Sequence, residues 1–306
     1  MTRAVSNSDR DPTLQRLAAV LERLESLLPA PAPAQTDFAS SPAFRWRKRR
    51  YLGLERGELQ TVLRPALIPF DDLKHVDDQK AAIRQNTERF VRGLPANNAL
   101  LTGARGTGKS SLIRACLHEF STQGLRLIEV DKRDLIDVAD IVDIVAERTE
   151  HFIIFCDDLS FATNEAGYKE LKAALDGSIA GSAKNVLIYA SSNRRHLMPE
   201  LMRDNLNTRY DGDGEIHPAE AVEEQISLSE RFGLWLSFYP FRQDDYLDIV
   251  AHWLQRFGLQ QHETAEARAE ALQFALQRGS RSGRVASQFA RHWAGGKRLT
   301  NNSAPR

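Results

Sequence analysis

The chain is short of the features that announce several protein classes. Only two cysteines occur in 306 residues, Cys116 and Cys156, each inside an apolar stretch. That is too few for a disulfide framework or a cysteine metal centre, and both read as small buried hydrophobes. No run approaches the ~18 apolar residues of a membrane span. The first ten residues lack the apolar core of a secretory signal. Net charge is missing too: 41 basic residues balance 41 acidic ones, so no global field advertises a nucleic acid or a membrane. A soluble, cytoplasmic protein without membrane contact is the expectation. Its length allows one large or two modest domains with a substantial core.

What is present is concentrated in Gly103-Ala104-Arg105-Gly106-Thr107-Gly108-Lys109-Ser110, a complete G-x-x-x-x-G-K-[ST] phosphate-binding loop. Glycines let the backbone curl so that successive N–H groups point at phosphate oxygens. Lys109 reaches the β and γ phosphates, and the Ser110 hydroxyl ligates Mg²⁺. Asn98 to Thr102 reads as a buried strand entering the loop, and Ser111 to Leu117 as the helix leaving it. That helix adds its positive N-terminal end to the same anion. Residues Gly103 to Ser111 are the expected nucleotide-binding set.

The remaining pattern divides the chain. Residues 1–40 hold a predicted amphipathic helix, with Leu14, Leu17, Leu21, Leu24 and Leu28 at steps of three and four, followed by a Pro-Ala spacer. Two readings stand for it: a helix packed on the body, or a partner-binding helix on a tether. Residues 41–66 form a basic-aromatic arm, where Phe44 to Tyr51 interleaves five basic residues with three aromatics. Through Arg45–Arg50 it either contacts nucleic acid or covers an acidic surface of the same protein.

Residues 67–242 alternate apolar strands with helical segments, as a parallel α/β sheet does. Strands are expected at the loop, at 125–131, at 152–158, at 186–193 and at 234–238, five in all. Residues 243–296 have helical periodicity and read as a small lid, and 297–306 as a disordered tail. The stretch from Asp211 to Glu230 carries seven carboxylates and no Lys or Arg. It lacks the spacing of a calcium loop and reads as an acidic surface loop.

Phe152 to Cys156 is followed by Asp157-Asp158. An Asp at the end of such a strand holds Mg²⁺ in phosphate-loop enzymes. Asp157 suits that role, and Asp158 would orient and polarise the attacking water.

Together with Asn193 at the end of the fourth strand and the helical lid, these residues resemble an AAA+ P-loop ATPase. The resemblance covers roughly residues 67–294. It implies that Asn193 holds the catalytic water or the γ-phosphate, and that Arg231 in Ser229-Glu230-Arg231-Phe232-Gly233 reaches into a neighbouring subunit's site. It also implies that Arg284 in Ser282-Gly283-Arg284 touches the γ-phosphate from the lid, and that Leu73 and Val76 contact the base. Each arginine has the alternative of an ordinary ion-pair residue, and Arg281 competes with Arg284. Arg194 and Arg195 are further anion-contact candidates.

Asp-Asp in place of Asp-Glu resembles the replication initiator and helicase-loader branch, although no helix-turn-helix pattern follows the lid. Asp-Asp-Leu-Ser-Phe with Ser-Glu-Arg-Phe-Gly-Leu-Trp is similar to a bacterial AAA+ family labelled as a domain of unknown function. The resemblance implies a Mg-dependent, ATP-hydrolysing homo-oligomer whose nucleotide state controls contact with a macromolecular client. The alternative is a nucleotide-gated adaptor with negligible hydrolysis that recruits a protein through its N-terminal helix. A small-molecule kinase would need neither Arg231 nor Arg284.

Overall fold

The computed structural model describes residues 16–17, 20, 23, 36–51, 54–159, 166–176, 183–193, 209–210, 216–217 and 228–303. Arg16, Leu17, Val20 and Arg23 are helical, in line with the leucine spacing, and Leu17 and Val20 are exposed. The Pro-Ala spacer and most of the acidic stretch lie outside the described residues.

The apolar runs form the centre of the sheet. Strands β3 (Ala99–Gly103), β4 (Leu125–Glu129), β5 (His151–Cys156), β6 (Val186–Ser192) and β9 (Leu234–Phe238) lie parallel in the order β4-β5-β6-β3-β9. Strands β3, β5 and β6, inside the sheet, are buried on both faces and need no polar alternation, which is why they read as hydrophobic runs. Their side chains still alternate between two cores. Ile153 and Phe155 point to one layer, whereas Phe152, Ile154 and Cys156 point to the other.

On the first face lie α1 (Asp77–Val91) and α2 (Lys109–Phe120), which bury Ile83, Phe90, Leu112 and Ile113. On the second lie α3 (Val138–Val145) and α4 (Ala166–Asp176), with Val138, Ile141 and Leu171 buried. A two-residue ribbon pairs β7 (Arg209–Tyr210) with β8 (Ile216–His217). Cys116 and Cys156 are free and buried, as their surroundings predict, and burial pushes both thiols up to about 12.

The sheet has seven strands, not the five expected. The two additions are the residues read as an arm: β1 (Ala43–Tyr51) and β2 (Leu54–Thr61) form an antiparallel hairpin, and β1 runs parallel to β4. The charge run hides a strand because its apolar members sit two apart. Phe44 and Trp46 are buried, whereas Arg47, Lys48, Arg49 and Arg50 are exposed. Arg45 pairs with Glu129 at 2.6 Å, Lys48 with Asp137 at 2.9 Å and Arg49 with Glu58 at 2.5 Å. The Trp46 indole donates to Asp137 at 2.9 Å and lies over Gly57, where a side chain would overlap the ring. Three cations of this stretch thus pair with acidic side chains of the same protein.

The lid consists of α5 (Gln243–Arg256), α6 (Gln261–Gln277) and α7 (Gly283–Ser303), whose buried faces join the first core. Helix α7 continues through Ser303, so residues 297–303 are helical and not the disordered tail expected. Lys297 contributes to this by pairing with Glu266 of α6 at 2.7 Å and lying over the Trp293 ring. Among the described residues no helix is long and apolar enough to cross a membrane.

Candidate nucleotide-binding site

The glycine loop leaves β3 at Gly103 and becomes α2 at Lys109. Its curl needs backbone angles that side chains resist: Gly106 and Gly108 adopt φ of 72° and 107°. Gly106 is also where the lid meets the loop. A Cβ there would come within 2.8 Å of Ser282 Oγ, and the Arg284 N–H donates to Gly106 O at 3.3 Å.

Lys109 is buried and its ammonium donates to Gly103 O at 2.8 Å, Ala104 O at 2.7 Å and Asn193 Oδ1 at 3.0 Å. Burial is the main force on it, lowering its pKa to about 8. Asp157 and Asp158 oppose that shift, whereas the Arg105 and Arg284 guanidiniums reinforce it. A desolvated cation with cationic neighbours is a site where an arriving anion gains most.

Asp157 and Asp158 follow β5 directly. Asp157 Oδ1 accepts from Ser110 Oγ at 2.6 Å, Ser191 Oγ at 2.5 Å and the Asp158 N–H at 3.1 Å. Asp158 takes a left-handed φ of 54°, which a short carboxylate residue tolerates better than most. Its Oδ1 accepts from Asn193 Nδ2 at 2.5 Å. Asn193 therefore bridges the loop lysine and the second carboxylate. Ser191, in the last turn of β6, was not expected. The β5–β6 register that pairs Cys156 with Ala190 brings it beside Asp157, and no sequence pattern announces that neighbour.

These groups line one cavity of about 800 Å³ between sheet and lid. Leu73, Val76 and Arg284 are among its lining residues. Arg281 instead faces an adjoining cleft of about 740 Å³ beside Leu272 and Leu276. Arg231 is not brought to the cavity; it pairs with Asp176 at the end of α4 at 2.5 Å. Arg194 and Arg195 lie outside the described residues.

Trp253, Arg114 and Arg291 also line the cavity and were missed. Helical spacing was the available signal, since Arg114 follows Ser111 by three residues and Arg291 follows Arg284 by seven.

Mg²⁺ prefers oxygen donors and typically binds through one or two carboxylates plus substrate phosphates. The hydroxyl of Ser110 and the carboxylate of Asp157 supply such a set, already within hydrogen-bond reach of each other. Among the described residues no group of three His, Cys, Asp or Glu gathers to hold a metal on its own. The donor set thus fits a metal that arrives with a phosphate ligand.

The chain resembles several solved structures at low identity. A variant of Thermotoga maritima RuvB matches at 15% identity and a TM-score of 0.48, over 73% of this chain and 63% of that one. The Thermotoga maritima RuvB Holliday junction branch migration motor matches at 13% and 0.43, over 74% and 70%. The Escherichia coli MS115-1 HORMA:CdnC:Trip13 complex matches at 12% and 0.45, over 72% and 89%. The chain spans somewhat under two thirds of the first RuvB structures it matches, 63% and 64%. No curated protein matches the sequence. Glycine loop, mostly parallel sheet and helical lid are the arrangement that the resemblance to AAA+ P-loop ATPases implies. A family model described as "Protein of unknown function (DUF815)" matches residues 39–297, and the chain belongs to that family.

Proposed function

We propose that this DUF815 member is a cytoplasmic, Mg²⁺-dependent ATPase whose nucleotide state controls its assembly and its contact with a macromolecular partner. One observation carries the reading: a continuous hydrogen-bonded path runs from Lys109 through Asn193 to Asp158, beside a second path from Ser110 through Asp157 to Ser191. Three strand ends thereby deliver a phosphate-binding cation, a pair of metal ligands and a second carboxylate to one cavity.

Lys109 and the loop N–H groups bind and orient the β and γ phosphates. Ser110 and Asp157 hold Mg²⁺, which when bound neutralises phosphate charge. Asp158 accepts a proton from the attacking water, and Asn193 fixes the direction of that carboxylate. Arg284 contacts the γ-phosphate from the lid. Arg231, which lies away from its own cavity, acts in this reading in a neighbouring subunit's site, which makes the active form a homo-oligomer. In this reading residues 67–242 bind the nucleotide, 243–296 act as the lid, and 1–40 form a partner-binding tether.

The partner is a protein client. Ion pairs at Arg45, Lys48 and Arg49 already offset much of the charge that nucleic-acid binding through the hairpin would use. The exposed Leu17 and Val20 suit a helix that meets another protein. The same exposure supports the second reading, an adaptor that binds ATP without sustained hydrolysis.

Phosphate release with Mg²⁺, measured beside ATP affinity, separates the two. The ATPase turns over, Asp158→Asn binds ATP but releases little phosphate, and Lys109→Ala does neither. Stoichiometric binding without turnover in wild-type protein favours the adaptor. Wild-type release rates in Asp158→Asn would remove that carboxylate from the mechanism.

A further inference from the structure

A nucleotide has two unlike ends, and so does the cavity. Lys109, Asp157, Asp158 and Asn193 crowd one end, whereas Ile68, Leu73, Val76, Ile249 and Trp253 line another part of the wall. Ile68, Leu73 and Val76 belong to the segment preceding α1. Ile249 and Trp253 belong to lid helix α5, four residues apart and therefore on one face. Trp253 is half-buried, and its indole is held from two sides. It stacks on Phe257 at 6.2 Å between ring centroids with planes 29° apart, and it meets His252 edge-on at 5.6 Å.

A buried carboxylate ties the helix that carries this indole to the opposite wall. Asp72, immediately before Leu73, is only 7% exposed. Its Oδ1 and the His252 Nε2 are hydrogen-bonded at 3.0 Å, its Oδ2 accepts from Arg256 Nη2 at 3.2 Å, and Arg256 Nε pairs with it at 3.1 Å. A buried carboxylate requires such partners, and these two flank Trp253 on α5. A second tie lies closer to the helix start, where His75 approaches Asp245 at 3.3 Å and Asp248 at 3.5 Å. The segment 72–76 is thus fastened to the lid helix on both sides of the space between Leu73 and Trp253.

We propose that Trp253 is the base-stacking residue of this site and that Asp72 is the positioning residue that fixes it opposite the 68–76 segment. The ligand class is a nucleotide with a planar aromatic base, and its base lies between an apolar wall of the core and an indole of the lid. Base occupancy then ties lid to core in a way that phosphates alone do not. This inference rests on the nucleotide-binding reading above, and the choice of probes separates their failures.

The experiment compares ATP with inorganic triphosphate, which offers the loop its phosphates but has no base. Stacking of a base on an aromatic side chain is worth roughly a factor of 5 to 150 by alanine substitution. Wild-type protein should bind ATP at least about ten-fold more tightly than triphosphate. Trp253→Ala should erase most of that advantage while leaving triphosphate affinity unchanged, which also shows that the variant is folded, and Trp253→Phe should recover part of it.

Asp72→Asn touches no ligand, yet it should lower ATP affinity in the same base-dependent way. Intrinsic fluorescence gives an independent reading, because the change on adding ADP should disappear in Trp253→Phe. An undiminished preference for ATP in Trp253→Ala overturns the proposal. Failure of wild-type protein to bind either probe overturns the nucleotide reading itself.

Discussion

Lys109 makes pH a direct readout of the site. Its ammonium is buried, and its pKa falls from 10.5 to about 8. Phosphate placed against it favours the charged form and raises that value. Linkage then requires that nucleotide binding take up protons and that affinity fall as pH rises through about 8. With that pKa, roughly a tenth of the lysines are neutral at pH 7 and about nine tenths at pH 9. If only the charged form binds, affinity drops about ten-fold across the interval, and near pH 8 about half a proton is taken up per nucleotide.

Calorimetric titration in buffers of different ionisation heat measures that uptake between pH 7.5 and 9, above the nucleotide's own phosphate ionisation. Asp158→Asn supplies a second test. Asp158 is one of two carboxylates holding the lysine pKa up, so its loss should move the fall in affinity to lower pH. Flat affinity from pH 7.5 to 9 without proton uptake would refute the argument, because that is how a solvated lysine at 10.5 behaves.

Two further outcomes test other parts of the molecule. Arg231→Ala should retain ATP binding but lose hydrolysis by roughly 10³–10⁵, and mixing it with Lys109→Ala subunits should recover part of the activity; equal turnover by dilute wild-type monomer would remove the trans role. Gly57→Ala places a Cβ in the Trp46 ring and so displaces the indole from Asp137; we expect a loss of about 1–3 kcal/mol in urea unfolding, and an unchanged midpoint would mean that the indole does not need that space.

Much of the site was legible because its parts are local. A glycine loop between a strand and a helix is a contiguous eight-residue pattern, and the strand that leads into Asp157 and Asp158 is apolar from Phe152 to Cys156 because it is buried there on both faces. The same logic misled at the sheet edge. There a strand needs only its inward residues to be apolar, so Phe44 and Trp46 were outnumbered by cations and β1 read as a charge run. Arg284 against Arg281 was undecidable from spacing alone, since they lie three residues apart around the start of α7; of the two, Arg284 packs on Gly106 and lines the cavity.

The sequence by itself named the candidate groups at one end of the cavity: which cation, which hydroxyl and which carboxylates, each by its place beside a strand or glycine turn. Backbone geometry and period-two burial act over a few residues, so they leave a readable pattern. Only the tertiary structure decided who meets whom across the fold. Ser191 reaches Asp157 through strand register, Asn193 bridges Lys109 and Asp158 from a third strand, and Asp72 finds His252 and Arg256 some 180 residues away. Such contacts follow from strand order and helix docking, which arise when the whole core is buried together and which no local stretch encodes.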